Sequence, residues 1–311
     1  IEKELFEPIV DKQSKKIVVV NTSSWNRTGP VTIETSMSGQ SVKSSGGNIL
    51  PLQKLSNGKY VFIADNVPAL GTSVYEITDE KSKTQNDFTI TDSSVSNGQI
   101  ALQWDEKGSI VKLEDDSKIN YAGSFNKQGL NSYWYVPGLD PSKAETNDAV
   151  RVKVLEQGPV VITIELASNT PGGKSLQRRI SLYAGSDHVN IENVLDKNSV
   201  REKESVHFGF PFNSSFQKIT IDAGYGSMQY LGDQLQGSNF DYLYGRRWLD
   251  VSENGRGIQW LMLETPLVEP ASMIDERKTV NEAHKEWKTT NVPTATWFSY
   301  VMNNYWHTNY K

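Results

Sequence analysis

Apolar residues along this chain recur mostly at every second position, in short runs divided by clusters of Gly, Asn, Asp, Ser and Pro. That period belongs to half-buried β-strands, and a sustained 3.6-residue period is nearly absent. Lys15 to Val20 reads as a buried strand, and Asn21 to Gly29 is turn chemistry. Pro30 to Ser36 alternates through Val31 and Ile33. Ser56-Asn57-Gly58, between Leu55 and the run Tyr60 to Ile63, predicts a hairpin. Val67-Pro68-Ala69-Leu70-Gly71 leads into a further strand at Thr72 to Ile77. Residues 1–78 are therefore expected to form a small antiparallel β-sandwich, followed by a polar linker at 79–87.

From Phe88 the strands lengthen. Ile100 to Trp104 and Ile110 to Leu113 flank a turn at Asp105 to Gly108. Arg151 to Glu156 and Val160 to Leu166 are divided by Gly158-Pro159. Leu176 to Leu182 and His188 to Leu195 flank Ala184-Gly185-Ser186-Asp187. Val206 to Phe212, Ile219 to Ile221, Gly257 to Leu263 and Thr296 to Met302 continue the series. Strands at this spacing predict a large all-β sandwich over 88–311. Only Pro270 to Glu282 has weak helical potential.

Composition narrows the function classes. The chain has 311 residues, enough for two domains, and a formal net charge of −5 with its Lys and Arg scattered among acids. With no basic patch, nucleic acid is excluded as a partner. There are no cysteines, so disulfides and thiolate metal sites are excluded. No apolar run approaches the roughly 20 residues of a membrane-spanning helix. The chain opens on Ile1 and stops at Lys311 directly after an aromatic run, which predicts a processed or excised segment of a longer protein.

The terminal run Val301 to Tyr310 sets the amides Asn303 and Asn304 beside Tyr305, Trp306 and His307. Flat rings with adjacent amides match a sugar, which offers C–H groups on its face and hydroxyls at its rim. A satisfied strand with a turn is the competing reading. Asn131 to Gly138 carries Tyr133, Trp134 and Tyr135 in succession, so a strand there is expected to turn at least one ring outward. Arg246-Arg247-Trp248 follows another aromatic stretch and suits either a sugar or a cation–π cluster within the sheet. The pairs Asp105-Glu106 and Asp115-Asp116 sit in turn sequence, where Asp bonds its own backbone. No pair is selected as the two facing carboxylates that a glycosidase requires. His188, His207, His284 and His307 show no metal-ligand spacing, and no Gly-x-Ser-x-Gly elbow occurs. Catalytic and metal residues are thus expected to be absent from this segment.

Several segments, in order, resemble glycoside hydrolase family 38 α-mannosidases of the bacterial branch. Val20 to Thr28 and Val67 to Gly71 resemble the β-domain that follows the family's catalytic and helical domains. Leu155 to Val160, Ile180 to Asp187, Arg201-Glu202-Lys203-Glu204 and Met302 to Tyr310 resemble its large C-terminal sandwich. The resemblance implies a large β-supersandwich of galactose-mutarotase type, as the non-catalytic, substrate-rim portion of a retaining enzyme acting on mannose-containing glycans. It also implies that the nucleophile, the acid/base carboxylate and a zinc ion lie in an upstream catalytic domain. That domain and the helical domain would be this segment's own partners. Tyr133, before Val136-Pro137, matches a pocket-lining Tyr of animal members. The neighbours Asn131-Ser132 depart from the small residues found there. Asn303, Asn304, Tyr305 and His307 are the other expected rim contacts.

Two other classes remain open from sequence. A free-standing carbohydrate-binding module would use the same Trp, Tyr and Asn clusters. A lyase or epimerase on a large sandwich would need a His or Tyr base facing a carboxylate or Arg in one cleft. The compartment is open, with a periplasmic or extracellular parent slightly favoured.

Overall fold

The computed structural model describes residues 15–84, 87–213, 218–235, 238, 240–275 and 295–303. Among them the chain is all-β, with one 3-10 turn at Pro141–Lys143. The first strands are β1 (Lys16–Asn21), β2 (Arg27–Ile33), β3 (Ser41–Ser44), β4 (Ile49–Pro51), β5 (Gln53–Lys54), β6 (Tyr60–Val67) and β7 (Gly71–Thr78). They make two antiparallel sheets, β1-β7-β3-β4 and β2-β6-β5. Val42, Phe62, Tyr75 and Ile77 fill the space between them. The expected hairpin is present: Leu55 N–H bonds the Lys59 carbonyl at 2.8 Å, and Gly58 supplies the left-handed residue at φ +85°.

Next come β8 (Thr89–Ile90), β9 (Ser94–Ser96), β10 (Ala101–Trp104), β11 (Ile110–Glu114), β12 (Ser132–Pro137), β13 (Arg151–Gln157), β14 (Val161–Ser168), β15 (Gly173–Tyr183) and β16 (Val189–Lys197). The series closes with β17 (Glu204–Pro211), β18 (Lys218–Asp222), β19 (Ser227–Gln229), β20 (Leu243–Tyr244), β21 (Trp248–Glu253), β22 (Arg256–Leu261), β23 (Leu267–Pro270) and β24 (Thr296–Asn303). Their sheet orders are β11-β10-β9-β8, β13-β14-β15-β16, β19-β18-β21-β22 and β12-β17-β24-β23-β20. One continuous core draws on all four: Leu102 and Ile110, then Ile164 and Leu176, then Ile221 and Leu249, then Val206 and Trp297. Burying each such side chain stabilises the fold by roughly 1.5–3 kcal/mol. The acidic pair Asp105-Glu106 lies in the β10–β11 turn, where Asp105 Oδ1 accepts the Lys107 and Ser109 N–H groups at 2.9 Å. Asp115 Oδ1 likewise accepts Ser117 N–H at 2.9 Å. The helical potential at Pro270 is realised as the end of β23, and its continuation past residue 275 lies outside the described residues.

The two sandwiches meet at a seam built on one amide. Gln53 is 6% exposed. Its Oε1 accepts Val160 N–H at 2.9 Å and Val161 N–H at 2.8 Å, and its Nε2 donates to the Val161 carbonyl at 3.0 Å. Val61, Val160 and Val161 pack together beside it, with Leu55, Ile63 and Tyr183 around them. Gly158 leaves the necessary space, because a Cβ there would stand 2.4 Å from Gln53 Cδ.

Candidate functional site at one end of the five-stranded sheet

Strand β17 is buried along its whole length, with polar and apolar residues alternating within it. Val206, Phe208 and Phe210 join the main core. Ser205, His207 and Gly209 face the other side, where Trp134, Val136, Phe298 and Met273 form a second cluster. A sheet covered on both faces buries both sets of side chains. This corrects the outward ring expected at Tyr133 to Tyr135: Tyr133 and Trp134 point to opposite faces, yet both are buried. Gly209 makes room for Trp134, since a Cβ there would lie 3.0 Å from Trp134 Nε1. That indole N–H donates to Ser132 Oγ at 2.9 Å.

The second face carries a chain of three polar groups. His207 Nε2 lies 2.8 Å from Ser205 Oγ, and His207 Nδ1 lies 2.7 Å from Glu269 Oε2. Glu269 Oε1 accepts Ile274 N–H at 3.1 Å. Tyr300 stacks on the imidazole at 4.5 Å, and Tyr242 stacks on Tyr300 at 5.9 Å. The connectivity is that of a Ser–His–carboxylate relay. All three members are essentially buried, Ser205 at 1%, His207 at 2% and Glu269 at 0% exposure. Enclosed this way, the groups satisfy one another and give no reacting atom to a substrate. The arrangement satisfies a buried polar face.

Where β12 and β17 end together, a second polar cluster closes the sheet. Pro137 pairs with Glu204, and Tyr135 with Val206. Glu204 accepts Tyr135 O–H at 2.7 Å and Lys197 Nζ at 2.7 Å. Lys197 Nζ stands 5.8 Å above the Tyr135 ring. Burial first, and then the Glu204 carboxylate, push the Tyr135 phenol well above its ordinary range. Gly172 backs this ring, with a Cβ position only 2.3 Å from Tyr135 Cε2.

Of the expected rim residues, the structure describes Tyr133 and the backbone of Asn303. Tyr133 is 1% exposed, packs edge-on to Phe208 at 5.7 Å, and donates its O–H to the Pro171 carbonyl at 2.7 Å. Burial pushes its phenol up to about 12. In this chain Tyr133 is therefore a core ring. Asn303 is the last residue of β24 and pairs with Ser205, next to Glu204. Asn304, Tyr305 and His307 lie outside the described residues. Arg246 is tied down locally, its guanidinium donating to the Gly224 carbonyl at 3.2 Å.

Sequence reading missed Arg178. It sits in the row Leu176, Ile180 and Leu182 of β15 and is fully buried. Its guanidinium donates to the carbonyls of Asn131, at 3.3 Å, and Lys107. Burial lowers its pKa to about 10, against a raising influence from Asp105. Arg178 thereby fixes the start of β12, where Asn131 and Asn193 exchange two amide hydrogen bonds at 2.9 and 2.8 Å. The available signal was one Arg at a core position of an alternating strand.

A shallow cavity of about 460 Å³, lined by Thr84, Phe88, Gln157 and Pro159 among others, lies at the β13–β14 turn. The length of β14 separates it from the cluster around Tyr135 and Gly172. Among the described residues, no three His, Asp or Glu side chains are grouped to hold a metal ion. The zinc implied by the resemblance is thus not fitted by these residues.

The sequence model of the Glycosyl hydrolases family 38 C-terminal domain matches residues 95–259, more than half of the chain. No curated protein matches the chain. Among solved structures, an alpha-mannosidase from Enterococcus faecalis V583 superposes with a TM-score of 0.61 at 10% identity. The match covers 84% of this chain and 38% of that one. A protein in the Glycosyl Hydrolase Family 38 from Enterococcus faecalis gives 0.60 at 10% identity, covering 84% and 40%. At that identity the likeness shows the fold, and this chain spans about two fifths of either solved chain.

Proposed function

We propose, from the premise that the chain belongs to glycosyl hydrolase family 38 through its C-terminal domain, that it is the non-catalytic, substrate-rim portion of an α-mannosidase. The family match over residues 95–259 carries this reading. The parent enzyme would be zinc-dependent and retaining, and would act on mannose-containing glycans. Its zinc and reacting carboxylates would lie in a separate catalytic domain, packed with a helical domain against the sandwiches described here. The small sandwich would be one domain over residues 1–78, joined through 79–87 to the large one.

In this reading the work of the segment is positional. Strand β24 ends at Asn303 opposite Ser205, and the Lys197–Glu204–Tyr135 cluster ties β12 to β17 beside it. Asn303, Asn304, Tyr305 and His307 would then meet the sugar, and Tyr133 would support them from within the core. The test is turnover of an aryl α-mannoside with added zinc, by this segment and by a longer polypeptide extended at both ends. Turnover only in the longer form supports the reading, and turnover by the isolated segment refutes it.

A further inference from the structure

The sheet β13-β14-β15-β16 has two edges, and they are finished differently. At the β16 edge the core-facing residues Ile191 and Leu195 pack against the main core. At the β13 edge the core-facing residues are left open. Val152 pairs with Leu166 and Val154 with Ile164, so both valines share the face of those core residues. Leu166 and Ile164 are fully buried, yet Val152 is 42% and Val154 41% exposed. The apolar row Ile191–Ile180–Ile164–Val154 therefore runs out uncovered at the edge. Strand β13 pairs with β14 alone, and among the described residues no backbone group of Arg151 to Val154 bonds on its outer side. This stretch is regular strand, because the ladder shifts register only after Val154.

The opposite face of the sheet carries a row of alternating charge. Lys153 pairs with Glu165, Glu165 with Arg179, and Arg179 with Glu192. Arg179 holds both acids, its Nε 3.2 Å from Glu165 Oε2 and its Nη1 3.0 Å from Glu192 Oε2. Glu165 is thus engaged away from the edge, and among the described residues Arg151 and Lys153 have no carboxylate partner. Lys and a bulge guard an edge against unspecific pairing, and charges turned inward complete such protection. Here the inward positions are valines, so the guard is against like charge. A second copy of β13 with its valines on the core side would set Arg151 and Lys153 against the same cations, which is unfavourable. A strand with apolar residues on one face and acids on the other suits both faces. It covers Val152 and Val154, and it continues the alternating row beyond Lys153.

We infer that the β13 edge takes up an extended polypeptide strand in which apolar and acidic residues alternate, as a further strand of this sheet. Val152 and Val154 meet its apolar residues, and Arg151 and Lys153 meet its acids. The probe is a peptide as long as β13 that alternates Val and Glu, with a Val–Lys peptide as the control. The whole chain is titrated with each, and amide hydrogen exchange at Arg151 to Val154 locates the contact. The Val–Glu peptide should bind saturably and slow exchange there, and the Val–Lys peptide should do neither. Arg151→Glu combined with Lys153→Glu changes only exposed side chains, and its thermal melt checks that the fold is kept. This charge reversal should weaken Val–Glu binding about tenfold or more and pass the preference to the Val–Lys peptide. No slowing with either peptide overturns the inference, and so does slowing that ignores the charge reversal. Slowing that grows with protein concentration in the absence of peptide gives the edge to a second copy and overturns it too. Turnover is not part of the readout, so this inference and the mannosidase reading fail independently.

Discussion

Gln53→Ala is the sharpest perturbation of the seam between the two sandwiches. The substitution removes the acceptor of Val160 N–H and Val161 N–H, both from residues no more than 3% exposed. The Val161 carbonyl keeps a second donor, Gly158 N–H at 3.3 Å, so its loss is smaller. Two buried donors left without partners cost about 1–3 kcal/mol each, so the expected destabilisation is roughly 2–6 kcal/mol. A chain of this size loses ~2–4 °C of Tm per kcal/mol. Gln53→Glu separates the acceptor from the donor. It keeps an oxygen for the two N–H groups and sets a second oxygen against the Val161 carbonyl.

The assay is denaturant unfolding followed at two probes, far-ultraviolet dichroism for the strands and tryptophan fluorescence. The intact chain should unfold with both probes together, and Gln53→Ala should shift the midpoint and separate the small sandwich as an earlier step. The tie between Ser56 and Glu156, at 2.9 Å from backbone N–H and 2.5 Å from the hydroxyl, is exposed and contributes little. Glu156→Ala is therefore the control and should stay within about 0.5 kcal/mol. A Gln53→Ala midpoint equal to that of the control would refute the assignment of the seam to this amide.

Other outcomes follow from the same geometry. Glu269→Ala leaves His207 and Ile274 N–H without their partner in a buried face and should cost about 1–3 kcal/mol for each group left unpaired. Adding His207→Ala should then cost much less than His207→Ala alone, and an additive double-mutant cycle would refute the coupling. Gly172→Ala places a methyl against the Tyr135 ring at a φ of +71°, so thermal melting should fall and Tyr135 should become more accessible to nitration. Burial raises the phenols of Tyr133 and Tyr121 to about 12, in Tyr121 with help from Asp115, so the fold favours their neutral forms. That stability is fully present below the ordinary tyrosine pKa near 10 and is lost as pH climbs towards about 12. Stability measured across this window should decline less steeply in Tyr133→Phe than in the natural chain.

Strand positions and the all-β class were legible because alternation is local: a run such as Val161 to Ser168 declares its period within eight residues. Turn roles for Asp105 and Asp115 were legible for the same reason, since their partners lie two to four residues away. What could not be read was which sheets are covered on both faces. That depends on Met273, Phe125 and Phe298 arriving from elsewhere in the chain, and it decides the fate of Trp134. The partner of His207 was illegible too, because Glu269 is 62 residues away and neither residue has a motif around it.

Strand β17 shows how the fold uses that hidden information. Its even positions Val206, Phe208 and Phe210 belong to the core that the alternation predicts. Of its odd positions, His207 reads in sequence as a hydrogen-bonded sheet residue, and it is enclosed with Ser205 and Glu269 and stacked on Tyr300. A buried polar row can be satisfied in few registers, whereas apolar residues tolerate many. The His207–Glu269 bond therefore fixes β17 against β23 and β24, and with it the pairing of Ser205 with Asn303. A one-residue slip would break that bond and move Asn303 from its place opposite Ser205. The buried relay thus ties β17 to β23, and through the β17–β24 ladder it keeps Asn303 opposite Ser205.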